Sequence, residues 1–267
     1  MISSTNDCCN FSNSASSAES IDQREAVRNR YGAAAINKEQ CLCTPVEFNK
    51  ELLKAIPKEI IEKDYGCGDP TKWVQKGDRV LDLGSGSGKN AFICSQAVGP
   101  SGHVIGVDSN KVMLELAQRA APKVAEKIGY SNVNFLEGLI EALDKKNTEG
   151  GQLIPTASID IIISNCVLNL VNQSERNSLL KNIRRVLSDE GRVAISDIVC
   201  NKEVPIELKK DPDLWSGCIS GAWNEEDFIS DFCKLGFKQV KFAERSKNPW
   251  KVIKGIEFRA VTLTGKL

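Results

Sequence analysis

The chain has 267 residues, enough for one doubly wound domain with additions around one main core. Its 35 Lys and Arg balance its 35 Asp and Glu, so no net field draws it to nucleic acid or to an anionic membrane. No run approaches the about 18 consecutive apolar residues of a membrane span, and the first residues lack the apolar core of a signal peptide, so a cytoplasmic protein is expected.

Residues 1–20 are rich in Ser, Asn and Ala, the composition of a disordered arm. A helix is expected over Ser20–Tyr31, where a Ser cap, early acids and late arginines suit the helix dipole. Pro45–Asp64 has apolar residues at helical spacing, interrupted by Pro57. Residues 21–70 thus read as a helical lid carrying cysteines, ahead of a main domain over 71–267. In that domain strands are expected over Arg79–Leu83, Gly102–Val107, Asn132–Glu137, Ser158–Ser164 and Gly191–Ile198. Helices are expected over Lys89–Val98, Lys111–Ile128, Ser174–Ser188 and Asp227–Leu235, with a closing antiparallel pair at Lys238–Ala243 and Ile256–Thr264. Alternating strands and helices imply an α/β, doubly wound, mostly parallel sheet that binds its ligand at the carboxyl ends of the strands.

The run Val80-Leu-Asp-Leu-Gly-Ser-Gly-Ser-Gly-Lys-Asn90 leads an apolar strand into three alternating glycines. Backbone amides approach a ligand closely where no Cβ obstructs them, so a nucleotide-like cofactor is implied. Asp108, about 20 residues beyond the last glycine, stands where a carboxylate accepts hydrogen bonds from ribose hydroxyls, which serves any adenosine cofactor. Gly84-x-Gly86-x-Gly88 departs from the dinucleotide spacing, and Lys89 is followed by Asn90 rather than Ser or Thr, which argues against dinucleotides and nucleoside triphosphates. The single histidine, His103, begins a strand and offers little for acid–base chemistry. The ten cysteines are too scattered for the disulfide framework of a small secreted domain and form no paired Cys-x-x-Cys zinc ribbon.

Asp82-Leu-Gly-Ser-Gly-Ser-Gly88 resembles motif I of the S-adenosylmethionine-dependent methyltransferases, and the order of elements is similar to their seven-stranded, Rossmann-like class I plan. That resemblance implies S-adenosyl-L-methionine as cofactor, with Asp82, Gly84, Ser85, Gly86 and Gly88 in its glycine loop and Asp108 and Ser109 at its ribose. Gly138-Leu-Ile140-Glu141 resembles the loop that covers the adenine, although Ile140 reads equally well as core. Asn165 and Cys166 follow the fourth strand, where such enzymes place residues facing the transferred methyl.

Three further segments, Tyr65-Gly-Cys-Gly-Asp-Pro70, Ile163-Ser-Asn-Cys-Val-Leu-Asn-Leu170 and Leu214-Trp-Ser-Gly-Cys-Ile-Ser-Gly-Ala222, resemble cysteine segments of the arsenite S-adenosylmethionine methyltransferases. Tyr31-Gly32 and Gln40-Cys-Leu-Cys43 are similar to that family's amino-terminal part. The resemblance implies methyl transfer to trivalent arsenic held by thiolates. Cys166 and Cys218 would bind arsenic throughout. Cys67 and Cys43 or Cys41 would complete the site and form a disulfide during turnover. It further implies arsenite or its thiol conjugate as substrate, a thiol reductant such as glutathione or thioredoxin as partner, a substrate-binding insertion around 200–225, and a monomer. Ser85 stands where the family commonly has Cys. Many members continue past the position of Leu267, which leaves the extent of methylation open.

The residues also allow methylation of a small organic acceptor with structural cysteines, a thiol-rich arsenic- or metal-binding protein, or a structural zinc held by Cys67, Cys166, Cys218 and an amino-terminal thiol. Cys94, Cys200 and Cys233 match no arsenic-binding segment and read as packing or surface residues, and Cys8 and Cys9 stay ambiguous.

Overall fold

The computed structural model describes residues 23–36, 46–63, 65–145 and 150–267. Cys8, Cys9, Cys41 and Cys43, with the arm expected over 1–20, lie outside the described residues. The first elements are α1 (Gln23–Ile36), α2 (Lys50–Leu53) and α3 (Lys58–Glu62). The helical pattern expected over 45–64 yields only the last two, because Pro57 cannot continue a helix and serves instead as the N-cap of α3.

The sheet begins with β1 (Arg79–Leu83), and Gly88, left-handed at φ 91°, opens α4 (Lys89–Val98). β2 (His103–Asp108), α5 (Lys111–Ile128) and β3 (Val133–Glu137) follow. The Asn110 side chain caps α5 by accepting from the Val112 and Met113 amides, and left-handed Gly129 ends it. Replacing Asn110 by Ala removes that cap and is expected to cost about 1 kcal/mol, read as a lower urea midpoint with an unchanged slope.

β4 (Ile159–Asn165), α6 (Arg176–Val186) and β5 (Leu187–Cys200) complete the parallel part, and α7 (Ile206–Lys209) and α8 (Pro212–Ser216) occupy the expected insertion. The chain closes with β6 (Trp223–Asn224), α9 (Glu225–Lys234), β7 (Lys238–Arg245), β8 (Lys251–Ile253) and β9 (Ile256–Lys266). The sheet order is β3-β2-β1-β4-β5-β9-β7, with β1 to β5 mutually parallel and β9 antiparallel to β5 and β7. Seven strands thus form the path that was expected. Two short additions, β6 on β5 and β8 on β9, make it nine-stranded.

Alternation along β1 sends Leu81 and Leu83 to one face, toward α6 and α9, and Val80 to the other, toward α4 and α5. A third apolar cluster gathers Cys67, Cys166, Cys200 and Cys218 with Ile198, Leu214 and Phe258. It sits beyond the carboxyl end of the parallel strands, which is where the sheet positions the site. No described helix is long and apolar enough to cross a membrane.

Candidate functional site

After β3 is laid down the chain returns to place β4 beside β1, and a cavity opens at that reversal of strand order. Gly84, Ser85, Gly86, Asp108, Ser109, Ile140, Glu141 and Asn165 all line it. Gly86 is left-handed at φ 52°, and a Cβ there would meet nothing within 4 Å, so the loop leaves open space for a ligand. Asp108 accepts from the Gly86 amide at 2.8 Å and from the Asn110 amide at 2.8 Å, while burial raises its pKa against those bonds. The buried Ser85 Oγ and Asn90 Oδ1 have no hydrogen-bond partner in the protein. Such atoms are rare in native folds, and both belong to residues of the cavity wall.

Two expected members of the loop do not line the cavity. Asp82 is buried in β1, and Gly88 gives α4 its tight start, since a Cβ there would come 2.7 Å from the Phe135 ring. Ile140 serves both readings weighed for it, because it lines the cavity and packs in the core. Glu141 is buried, which raises its pKa, and accepts from Arg24 at 3.0 Å. Arg24 also pairs with Glu175, so α1 is held across the cavity, where Val27, Arg28 and Tyr31 extend the wall.

A second, small cavity adjoins the first and is walled by Cys67, Cys166, Cys218, Tyr31, Ile198, Gly217 and Trp250. Tyr31 and Cys166 belong to both. Cys67 and Cys166 are joined by a disulfide, with Cα atoms 6.1 Å apart. The disulfide expected for Cys67 was with an amino-terminal cysteine; the partner seen is Cys166, because Asn165 fixes the Cys67 loop beside it. The Asn165 Oδ1 accepts from the Cys67 and Gly68 amides at 2.9 and 3.2 Å, and its Nδ2 donates to the Gly68 carbonyl. Asn165 lines the cofactor-sized cavity, yet these bonds give it a second task that was not foreseen. With Cys67 and Cys166 joined, Cys218 is the free thiol of the zinc set among the described residues.

Cys166 and Cys218 both adopt left-handed backbone, φ 59° and 61°. Non-glycine residues hold that conformation only where the surroundings over-determine it, and such outliers cluster at functional sites. The Cys166 amide donates to the Ser196 carbonyl at 2.8 Å, and the Cys218 thiol donates to the Cys166 carbonyl at 3.2 Å. Burial, reinforced by Asp197, raises the Cys218 pKa well above its ordinary value. Tyr31 Oη lies 3.9 Å from Cys218 Sγ, and its own pKa is raised chiefly by burial.

Asp197, Asn169, Tyr31 and Trp250 form part of this pocket or its support and were not singled out for it from the sequence. Asp197 had a visible signal, a carboxylate inside the mostly apolar stretch 193–200 of β5. It is 1% exposed, and burial pushes its pKa up to about 7 against hydrogen bonds from the Ile198 and Asn169 amides. The remaining cysteines fit their expected places: Cys94 and Cys200 are buried and Cys233 is exposed. Burial pushes the Cys200 thiol up to about 11.

The methyltransferase domain family matches residues 74–250. A solved structure, the arsenic(III) S-adenosylmethionine methyltransferase of Chlamydomonas reinhardtii, is 32% identical with a TM-score of 0.71, over 83% of this chain and 74% of that one. The chain belongs to the arsenite methyltransferase family. The arsenite methyltransferase of Mus musculus is 35% identical over 233 residues, 84% of this chain and 60% of that protein. That of Halobacterium salinarum is 37% identical over 251 residues, 85% of this chain and 60% of that protein. The chain therefore spans about 60% of the length of these curated family members.

Proposed function

We propose that this chain transfers methyl groups from S-adenosyl-L-methionine to trivalent arsenic bound by Cys166 and Cys218, with Cys67 and an amino-terminal thiol, Cys43 or Cys41, completing the site. The observation that carries the reading is that Cys166 belongs to the walls of both cavities, so a soft ligand centre in one lies against the ligand in the other. The larger cavity fits an adenosyl amino acid. Asp108 offers a carboxylate for ribose hydroxyls, Ile140 an apolar surface and Glu141 a polar edge for the adenine, and Ser85 and Asn90 bring unused polar atoms. When bound, the cofactor supplies an electrophilic methyl group on a sulfonium.

Trivalent arsenic is thiophilic and keeps a lone pair when held by sulfur, so the chain needs no general base at this site. Its residues have three tasks: to hold arsenic, to orient it, and to exclude water. Cys166 and Cys218 hold it, their strained backbones tied to one another by the Cys218 to Cys166 hydrogen bond. Tyr31 and Trp250 cover it, Tyr31 packing edge-to-face on Tyr65 with ring centroids 6.2 Å apart. The Cys67–Cys166 disulfide engages one of the two sulfurs, so a thiol reductant such as glutathione or thioredoxin must open it before arsenic binds.

The test is transfer of labelled methyl from S-adenosyl-L-methionine to arsenite, with and without glutathione. Methylated arsenic formed only with the thiol present supports the reading. Demonstrable cofactor binding without arsenic-dependent transfer in either condition refutes it.

A further inference from the structure

The carboxylate of Asp197 stands beside the two sulfurs and has no part in the chemistry above. The ligand atoms of Cys166, Asp197 and Cys218 all lie within 4.8 Å of one another, and all three residues are buried. Three N–H groups point at the carboxylate: the Asn169 Nδ2 at 2.7 Å, the Ile198 amide at 2.8 Å and the Asn169 amide at 3.3 Å. The same Asn169 Nδ2 reaches the Ile198 and Cys218 carbonyls, so one amide ties the Asp197 strand to the Cys218 loop. Arg176 acts on Asp197 electrostatically, but its guanidinium is bonded to the Gly221 carbonyl and stacked 3.7 Å over the Trp223 ring. A carboxylate buried without a direct ion pair is unfavourable, and an apolar side chain would suit this strand better.

We propose that Asp197 is a catalytic counter-charge for the cation that forms at arsenic during methyl transfer, an inference that rests on arsenic being bound by Cys166 and Cys218. In that step the arsenic lone pair forms the As–C bond, and the C–S bond breaks with both electrons left on sulfur. The positive charge leaves the sulfonium sulfur and settles on four-coordinate arsenic. No proton moves and no oxidant enters. A carboxylate fixed in place before the charge arrives stabilises it without reorganisation, in a pocket from which water is largely excluded. Asn169 acts through Asp197 and is a positioning residue.

The test compares the reduced 267-residue chain with its Asp197→Asn variant. Arsenic retention from arsenite is expected to match the unsubstituted chain, while the single-turnover rate of methyl transfer falls roughly a hundred- to a thousandfold, the usual loss on deleting one preorganised electrostatic contact. Binding gives a readout free of turnover. Cd²⁺, a dication, is expected to bind at least about tenfold more weakly to Asp197→Asn, whereas neutral phenylarsine oxide stays within about threefold. A merely structural role would weaken both thiophiles alike, and that result overturns the proposal, as does an unchanged single-turnover rate. Should Asp197→Asn not fold, Asn169→Ser keeps the carboxylate but removes a donor that orients it. There a loss of about tenfold in rate with arsenic binding intact is expected, and no loss overturns the proposal. An unsubstituted chain that makes no methylated arsenic sinks the parent reading together with this one. Equal rates in the unsubstituted chain and Asp197→Asn sink this one alone.

Discussion

Serine in place of Cys166 or of Cys218 is expected to lower arsenic-dependent methyl transfer by at least about a thousandfold, equivalent to roughly 4 kcal/mol of transition-state stabilisation, while S-adenosyl-L-methionine still binds within about threefold. The folded backbone brings the sulfurs of Cys166 and Cys218 together in the pocket, with Cys166 also on the wall of the larger cavity. A hydroxyl is a hard ligand and does not replace a thiolate at a soft centre. Loss of either sulfur leaves arsenic short of an anchoring thiolate and freer to turn its lone pair away from the methyl group, so alignment is lost along with affinity. Radiolabel counting with arsenite reads the transfer, and calorimetry with the cofactor reads the binding. Full arsenic-dependent transfer by both variants would show that neither Cys166 nor Cys218 holds the arsenic.

Valine at Gly86 is expected to weaken cofactor binding at least about a hundredfold while the protein stays folded. A Cβ at this position meets no protein atom within 4 Å, so the added side chain occupies ligand space rather than core. The φ of 52° adds a backbone penalty that a β-branched residue bears in full, on the order of 1–3 kcal/mol. Gly88→Ala is the useful contrast, because its Cβ would press on the Phe135 ring and on Ala117. That substitution acts on packing and shows first as a lower denaturation midpoint. Equal cofactor affinity in Gly86→Val and the unsubstituted chain would remove the glycine loop from the cofactor site.

Much of the framework is readable in the sequence where local punctuation is strong. β1, α4 and α5 begin and end where expected, because Gly88, Asn110 and Gly129 mark their ends. Among the described residues α1 runs Gln23–Ile36, past the end expected at Tyr31, since the alanines after Gly32 favour continuing the helix. β5 runs Leu187–Cys200, longer than Gly191–Ile198, because an irregularity in its pairing with β4 lets Leu187 pair with Ile159. β6 and β8, of two and three residues, are too short for any periodicity to show.

The site divides along the same line. The glycine loop, Asp108, Ile140 and Glu141 follow directly on strand ends, so their chemistry and their position are both local. The sulfur pocket is assembled from α1, the Cys67 loop, the end of β4, β5, the segment after α8 and the turn before β8. Its cysteines were visible through family resemblance. Asp197 and Trp250 reach it only through the fold, and no spacing in the sequence brings them together, whereas Asn169 stands three residues after Cys166.

Mutational drift does not act evenly on Cys166 and Cys218. Each occupies a left-handed conformation that glycine adopts freely and that other L-residues hold at roughly 1–2 kcal/mol. For a domain whose whole stability is about 5–15 kcal/mol, two such positions are a standing burden. Replacement by glycine relaxes the backbone in the same stroke that deletes the sulfur, so folding and soft-ligand chemistry favour different residues at these two places. A lineage that no longer met arsenic would therefore lose the thiols early and keep the sheet. Cysteine at both positions stands where the backbone alone favours glycine.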